Sequence, residues 1–260
     1  MLGQDLMRLA GPDALGLTRA DLDVTDREAV GAVIGPDDVV INCAAWTDVD
    51  GAETHPDEAM RVNRDGARNV AEAAAKVVYV SSDYVFDGAK HSPYVESDPR
   101  NPVSAYGHSK AEGELATLDG TPHSHIVRTS WLFGVGGGNF IATMLRLGSE
   151  RDSVRVVDDQ IGQPTYTGHL AEALLQIADS DDFGIHHRSG HGQCSWYELA
   201  RFVFETAGVD CEIEPCTTAE FPRPAPRPAY SVLGSERDEP SLPDWQRGVT
   251  EYLAAREVRA

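Results

Sequence analysis

Short apolar runs alternate with helical patterns through the first half of the chain. Residues 39–45, 77–81 and 124–128 are runs of β-branched and other apolar side chains, typical of strands buried in a sheet, and residues 14–18 form a shorter run. Apolar positions at helical spacing fill the intervening stretches, at residues 2–10, 26–34, 56–75 and 106–118. The alternation predicts an α/β fold with a doubly wound parallel sheet covered on both faces.

The second half of the chain is less regular. Helical spacing recurs at residues 139–147, 169–178, 196–207 and 245–255, and short strand patterns lie at 154–157 and 211–216. Residues 222–228 hold four prolines in seven positions, which predicts a loop or an extended segment. Almost no connection separates the helix at 56–75 from the strand at 77, so that helix must end early or its turn must be strained.

Candidate chemistry lies between residues 78 and 110. Tyr106 and Lys110 are four positions apart at the start of a predicted helix, so their side chains share one face. A neighbouring ammonium favours the phenolate and lowers the pKa of a phenol. Ser82, at the end of the preceding strand, supplies a hydroxyl that would complete a proton-donating site for a carbonyl oxygen. The Tyr-x-x-x-Lys spacing alone fits a surface helix equally well, so its context decides.

Three strings supply that context. They are Ser-Ser-Asp-Tyr-Val-Phe-Asp-Gly at 81–88, Pro-x-x-x-Tyr-Gly-x-x-Lys at 102–110 and Val-Arg-Thr-Ser-Trp-Leu-Phe-Gly at 127–134. Together they resemble the extended short-chain dehydrogenase/reductase superfamily, and within it the dTDP-4-dehydrorhamnose reductases. The resemblance runs from Leu2 to about Leu253. It implies a Rossmann-like NADP-binding domain over residues 1–150, incomplete at its amino end. Residues 151–260 would then form mostly a substrate-binding lobe, with some elements returning to the core.

The resemblance also implies a reaction. NADPH would reduce the 4-keto group of dTDP-4-dehydro-6-deoxy-L-hexulose to give dTDP-L-rhamnose. Tyr106 would protonate the developing oxyanion, Lys110 would hold the nicotinamide ribose, and Ser82 would hydrogen-bond the carbonyl oxygen. Two alternatives stay open: a reductase or epimerase acting on another nucleotide-keto-sugar, and a non-catalytic relative that binds the cofactor and regulates a partner.

Substrate contacts follow from the same resemblance, and two of them, Trp131 and the loop that begins at Gln160, fit a plain structural role as well. Trp131 would stack on the sugar, although a tryptophan after a strand fits core packing equally well. Arginines in the proline-rich segment suit a diphosphate. The residues implied for the substrate are Thr47, Ser82, Asp83, Tyr84, Trp131, Gln160, Arg223 and Arg227.

Cofactor contacts are implied at the ends of the first strands. Thr18 followed by Arg19 suits a 2′-phosphate better than an acidic residue would, which favours NADPH over NADH without excluding NADH. Asp23 and Val24 would meet the adenine, although Asp23 also fits a helix N-cap, a role that Thr25 or Asp26 could serve instead. Ala44, Ala45 and Trp46 match a strand end whose small residues let the cofactor pass close to the backbone. Tyr106 and Lys110 are implied as further cofactor contacts. Asn63 would lie in the helix flanking the cofactor, unless it bonds its own backbone.

The beginning of the chain departs from the family pattern. Gly3 and Gln4 match the last part of a glycine-rich phosphate loop, but the strand and glycines that normally precede them are absent. We therefore expect the natural reading frame to extend upstream by about ten residues, with an apolar strand followed by Gly-x-x-Gly. That strand is expected between the strands at 39–43 and 77–81.

The composition limits the classes of partner that the protein is expected to bind. The formal net charge of −20 argues against nucleic acid and anionic membranes, no apolar run reaches membrane length, and no signal peptide is visible, so a cytoplasmic protein is expected. Four cysteines without Cys-x-x-Cys and a histidine group at 186–191 without metal spacing predict no metal site. A nucleotide sugar is the expected partner, and a homodimer stays open.

Only three basic residues are lysines, which suggests adaptation to high salt, although codon bias explains that equally well.

Thermal unfolding in rising KCl tests the high-salt interpretation. If the carboxylate surface is adapted to salt, screening of its self-repulsion should raise the unfolding midpoint up to about molar KCl. Differential scanning fluorimetry measures that midpoint. A flat or falling midpoint over the same range would support codon bias instead.

Overall fold

The structure, a computed structural model, describes residues 1–257, and this part of the chain holds ten strands and ten α-helices. The strands are β1 (Val39–Asn42), β2 (Lys76–Ser82), β3 (Ser124–Thr129), β4 (Leu132–Phe133), β5 (Ser153–Val157), β6 (Ile161–Gly162), β7 (Thr165–Tyr166), β8 (Gly184–His187), β9 (Cys194–Ser195) and β10 (Glu212–Cys216). The helices are α1 (Leu2–Ala10), α2 (Arg27–Val33), α3 (Val49–Thr54), α4 (Pro56–Met60), α5 (Gly66–Ala73), α6 (Ala105–Gly120), α7 (Phe140–Glu150), α8 (Thr167–Asp179), α9 (Trp196–Ala207) and α10 (Trp245–Glu257).

The main sheet contains four parallel strands in the order β1-β2-β3-β8. Side chains that alternate along a strand point to opposite faces. Val78 and Val127 pack with Leu170 of α8 on one face, whereas Tyr79 packs with Ala67 of α5 on the other. Helices therefore cover both faces, and the predicted doubly wound α/β fold is confirmed.

The absent first strand was expected between β1 and β2, and this position is wrong. Val39 pairs directly with Lys76, and Asn42 with Tyr79, so β1 and β2 are neighbours with no space between them. Within residues 1–257, β1 is an edge strand, and Val39 is 53% exposed. The predicted buried strand is therefore shorter, ending at Asn42, and only partly buried.

The predicted strand at residues 14–18 is also wrong. The segment is irregular, and Leu15 in its middle is 75% exposed. A strand needs a neighbour whose backbone groups complete its hydrogen bonds, and no described strand lies beside this segment. The apolar side chains of residues 14–18 are therefore not enough to make this segment a strand.

The long helix predicted at 56–75 is interrupted and ends early. It consists of α4, a π-helical turn at Arg61–Asp65, and α5, which stops at Ala73. Ala74 is extended, with φ −84° and ψ 151°, so the connection to β2 is short but unstrained. The helix α3 before it was not predicted from the sequence.

The second half adds one strand to the main sheet and builds a separate core. β8 pairs in parallel with β3, and the sequence analysis missed it because its two histidines interrupt the apolar run. Helices α7, α9 and α10 enclose a second cluster that includes Phe133, Val203 and Trp245. The predicted helices and strands at 139–147, 154–157, 169–178, 196–207, 211–216 and 245–255 are present within a few residues, and 222–228 is irregular as predicted. The division at residue 150 stays a prediction.

Two glycines inside helices provide a matched test of this packing. A Cβ on Gly113 of α6 would lie 2.2 Å from both the Asn63 carbonyl oxygen and the Tyr79 hydroxyl, whereas a Cβ on Gly31 of α2 would meet nothing within 4 Å. We expect Gly113→Ala to lower the free energy of unfolding by about 1–3 kcal/mol through overpacking. Gly31→Ala should raise it by about 0.5–1 kcal/mol. Urea unfolding measures both, and an unchanged or raised stability for Gly113→Ala would contradict the close approach of α6 to β2.

Candidate active site

The carboxyl ends of the parallel strands meet at one edge of the sheet. β1 ends at Asn42, β2 at Ser82 and β3 at Thr129, and Ser82 is in register with Thr129. Side chains just beyond these ends are brought together by the topology, as is usual for ligand sites in open α/β sheets. The candidate site is therefore built from the segments that follow β1, β2 and β3.

Helix α6 brings Tyr106 to this edge. Ser104 caps the helix, because its side chain accepts a hydrogen bond from the Gly107 N–H at 3.1 Å. Glu53 of α3 accepts from the Ala105 N–H at 2.8 Å, which fixes the first turn from outside. Tyr106 then lies edge-on to Tyr84, with ring centroids 6.0 Å apart.

Ser82, at the end of β2, lies close enough to Tyr106 to influence the pKa of its phenol. Burial raises the pKa of Tyr106 to about 12, and the hydrogen bond with Ser82 acts in the opposite direction. Ser82 also donates to Asp83 Oδ1 at 3.1 Å, and Ser231 donates to Asp83 Oδ2 at 2.6 Å. Burial raises the pKa of Asp83 to about 7, opposed by the hydrogen bonds from Ser231 and Ser82. The phenol is therefore a protonated donor within a buried hydroxyl network.

Lys110 lies one helical turn after Tyr106 and is buried. Its Nζ donates to the Val80 carbonyl oxygen at 2.7 Å and lies 4.0 Å from the centroid of the Tyr79 ring. Burial lowers the pKa of Lys110 to about 7, with Glu114 and then Cys43 acting in the opposite direction. The expected lowering of the Tyr106 pKa is absent here, since the ammonium faces Val80 and Tyr79 and the pKa of Tyr106 is raised.

Asn63 was identified in the sequence only as a helix residue beside the cofactor. The π-helical turn directs its side chain out of the helix to the segment after β1. Its Oδ1 accepts from the Trp46 N–H at 2.8 Å, and its Nδ2 donates to the Trp46 carbonyl at 3.2 Å and to Ser109 Oγ at 2.8 Å. Asn63 therefore fixes the backbone at Trp46, next to Ala44 and Ala45, and ties it to α6.

The residues implied for the adenosine end are spread along the surface. Gly3 lies in the first turn of α1, and a Cβ there would meet nothing within 4 Å, whereas Gln4 lies against Gly136. Thr18 bonds Asp21, with its Oγ1 donating at 2.6 Å. No ion pair is found within residues 1–257 for the exposed Arg19.

Asp23 and Val24 follow in a turn. Hydrogen bonds from the Thr25 N–H and hydroxyl lower the pKa of Asp23, so its carboxylate already has partners. The Val24 side chain lies against Gly66 of α5, where an added Cβ would be 2.7 Å away. The helix cap considered as the alternative for Asp23 belongs to Asp26, whose side chain accepts from the Glu28 and Ala29 N–H groups, so Asp23 does not cap α2.

The residues implied for the substrate divide between the two halves of the chain. Asp83 and Tyr84 lie beside Tyr106, and Thr47 is exposed just beyond β1. Trp131 has a left-handed backbone with φ 46° and stacks on Trp196, with ring centroids 3.5 Å apart, so one of its faces is used for packing.

Gln160 and the two arginines lie farther along the chain. The Gln160 side chain bonds Thr218 and Trp196. Arg223 and Arg227 both bind Asp50 of α3, a residue that the sequence analysis did not identify. A single aspartate at the start of a short helix carries no signal in the sequence that distinguishes it from a solvated residue.

The histidine group serves packing. His186 bonds Glu239 at 2.6 Å and His125 at 3.1 Å, and His187 bonds the Gly234 carbonyl at 2.8 Å. Throughout residues 1–257, no group of three or more histidine, cysteine or acidic side chains is arranged to hold a metal ion. None of the helices in that range is long and apolar enough to cross a membrane.

The buried Lys110 should leave a signature in the pH dependence of stability. Below about pH 7 the side chain is charged in both states, and the cost of burying it is complete. Between about 7 and its ordinary value of 10.5 only the unfolded state holds the extra proton, so stability should rise with pH. Urea unfolding of the ligand-free protein at pH 7 to 10.5 measures that slope. Lys110→Met should flatten it, and an unchanged slope would contradict a neutral buried lysine.

Comparison with known proteins identifies the family. The family model described as RmlD substrate binding domain matches residues 1–258. The chain is 43% identical to a dTDP-4-dehydrorhamnose reductase from Mycolicibacterium smegmatis, over 94% of this chain and 79% of that protein. It is 41% identical to a dTDP-4-keto-6-deoxy-D-glucose reductase from Streptomyces niveus, over 91% of this chain and 86% of that protein.

A solved structure agrees. The dTDP-4-dehydrorhamnose reductase from Bacillus anthracis in complex with NADP superposes with a TM-score of 0.94 at 37% identity, covering 98% of this chain and 95% of that one. The resemblance found in three sequence strings thus extends over the whole fold and the candidate site. The chain belongs to the RmlD substrate-binding-domain family.

Proposed function

We propose that this protein reduces the 4-keto group of dTDP-4-dehydro-6-deoxy-L-hexulose to dTDP-L-rhamnose with NADPH. The observation that carries the proposal is that Ser82 at the end of β2, Tyr106 in the first turn of α6 and Lys110 one helical turn along lie together at this edge of the sheet. One relative in sequence and one solved structure with a matching fold are dTDP-4-dehydrorhamnose reductases, which supports the same activity here.

The residues present fit NADPH at the nicotinamide end. When bound, the cofactor supplies a hydride to the carbonyl carbon. Among residues 1–257, Lys110 makes one hydrogen bond, to Val80, which leaves its other protons for ribose hydroxyls. Ala44 and Ala45 present little side chain, and Asn63 holds the adjoining backbone in place. The Bacillus anthracis relative in complex with NADP supports the choice of cofactor.

At the adenosine end the fit rests on fewer residues. Gly3 leaves open space at the start of α1, where backbone N–H groups attract phosphate. Arg19 is exposed and forms no ion pair within 4 Å among residues 1–257, although its charge helps to lower the pKa of Asp23, so its guanidinium is available for a 2′-phosphate. Thr18 is bonded to Asp21 and Asp23 to Thr25, so we assign both to shaping the turn.

Proton transfer falls to Tyr106. Its raised pKa keeps it protonated at neutral pH, so it can donate to an oxyanion that forms beside it. Ser82 would turn its hydroxyl from Asp83 to the same oxygen, and Asp83 keeps the hydrogen bond from Ser231. A positioned general acid of this kind contributes about 10²–10⁴-fold to the rate.

We assign the sugar nucleotide to the space between this edge and the second half of the chain. Thr47, Asp83 and Tyr84 would line its sheet side. Trp131 and Gln160 would line the opposite side, with Arg223 and Arg227 near the diphosphate. This assignment makes residues 151–260 mostly a substrate lobe, with α8 and β8 returning to the core.

The identity to one relative favours a second candidate substrate. The Streptomyces niveus relative is a dTDP-4-keto-6-deoxy-D-glucose reductase, and its identity to this chain is 41%, close to the 43% of the rhamnose-pathway relative. The hydroxyl pair acts on a ketone whatever the configuration of the ring.

We propose a cytoplasmic site of action, in keeping with four free cysteines. A homodimer stays a prediction.

Tyr106→Phe tests both the reaction and the role of the phenol. NADPH oxidation is followed with dTDP-4-dehydrorhamnose and with dTDP-4-keto-6-deoxy-D-glucose. The wild type should turn over at least the first, and Tyr106→Phe should lower kcat by about 10²–10⁴-fold, since it removes the proton and little volume. NADPH affinity should change little.

Tyr197→Phe, in α9 away from this edge, is the matched control and should behave as the wild type. Turnover of neither ketone by the wild type would reject the proposed function. Full activity of Tyr106→Phe would reject its role as the proton donor.

A further inference from the structure

The proline-rich segment at residues 222–228 is held without secondary structure. Four of its seven residues are prolines, which have no N–H to donate and cannot join a strand ladder. A segment of this composition must be attached through side chains or through its few remaining N–H groups. Its attachment is therefore concentrated in a small number of contacts.

Asp50 provides that attachment. Its Oδ2 accepts from Arg223 Nε at 2.9 Å, and its Oδ1 accepts from the Ala225 N–H at 3.1 Å and from Arg227 Nη1 at 3.0 Å. The hydrogen bonds that tie residues 222–228 to the rest of the described chain all end on this carboxylate. These bonds lower the pKa of Asp50 to about 2 against the opposing effect of its burial, so it is charged at all working pH values.

The segment crosses from the second half of the chain to the hydroxyl network. Before it, the Thr218 hydroxyl donates to Asp159 at 2.6 Å. At its end, Pro228 lies against Gly88, where an added Cβ would be 2.6 Å away, and after it Ser231 donates to Asp83. Asp50 fixes the middle of a strap whose two ends are anchored on different parts of the molecule.

Helix α3 connects this strap to the catalytic helix. Asp50 and Glu53 lie on the same six-residue helix, and Glu53 accepts from the Ala105 N–H, next to Tyr106. Arg227 is close enough to Tyr84 to oppose the rise that burial gives to its pKa. The position of the two arginines is therefore coupled to the site through one short helix.

We propose that Asp50 is a positioning residue for nucleotide-sugar binding, which orients Arg223 and Arg227 and holds the proline-rich segment over the substrate. The proposal rests on the proposed function. Two guanidinium groups and one carboxylate leave one net positive charge, which attracts a diphosphate in a chain of net charge −20. Because Asp50 binds only one edge of each arginine, each fork keeps donors for the ligand.

Asp50→Asn separates positioning from catalysis. The amide keeps the shape but loses the charge and points two N–H groups at donors, so the strap should loosen. We expect KM for dTDP-4-dehydrorhamnose to rise about tenfold or more, with kcat reduced less than about threefold and KM for NADPH nearly unchanged. Asp57→Asn is the matched control: it is exposed on α4, forms no ion pair within residues 1–257, and should behave as the wild type. A lowered KM would show that Asp50 competes with the substrate for the arginines and would overturn the proposal.

A mutant cycle shows whether Asp50 acts through the arginines. Arg223→Gln/Arg227→Gln should raise KM strongly, and adding Asp50→Asn to that double variant should change KM less than about twofold. Independent, multiplied losses would assign Asp50 a separate role and reject the positioning role.

Binding of dTDP, measured by calorimetry, separates this proposal from the proposed function. Asp50→Asn should weaken dTDP binding about tenfold even if the wild type reduces neither ketone. Unchanged or tighter dTDP binding would reject the role of Asp50, whatever the enzyme assays give.

Discussion

A buried ion cluster between β3 and α6 holds the site in place. Glu114 Oε1 accepts from Arg128 Nε at 2.8 Å and from Ser81 Oγ at 2.6 Å, while Oε2 accepts from Arg128 Nη2 at 2.8 Å and from Arg100 Nη1 at 3.1 Å. Glu114 is fully buried, and Arg128 nearly so. Removing one partner of such a pair typically costs about 3–5 kcal/mol, because a buried charge is left uncompensated. The helix therefore cannot slide or rotate on the sheet without breaking this cluster.

That constraint reaches the reacting groups through helix geometry. Tyr106, Lys110 and Glu114 are spaced four residues apart, so they follow one another along one face of α6. Once Glu114 is fixed against β2 and β3, Lys110 must enter the space beside Val80 and Tyr79, and Tyr106 must reach the end of β2. Burying the lysine is costly, and the Glu114 carboxylate one turn away opposes part of that cost.

The sequence predicts those features that depend on local pattern. Ser82 and Tyr106 lie near each other because a strand end and a helix start in an α/β sheet share an edge. Features that depend on distant partners were missed or misplaced. Residues 14–18 have the apolar side chains of a strand but no neighbour, and β8 has a neighbour but an unremarkable sequence. Glu114 and Asp50 resemble solvated carboxylates until the arginines that bind them are in place.

Because of the π-helical turn at Arg61–Asp65, the geometry of the site depends on the number of residues in this helix. Each residue of an α-helix advances the chain by about 100° around its axis, so a wider turn accommodates one residue more than regular winding would. With one residue fewer, Asn63 and the face of α5 that packs under Val24 could not both keep their directions. Side chains in this stretch can therefore be exchanged with local consequences, whereas a one-residue deletion would put the cofactor side of the helix out of phase with its core side.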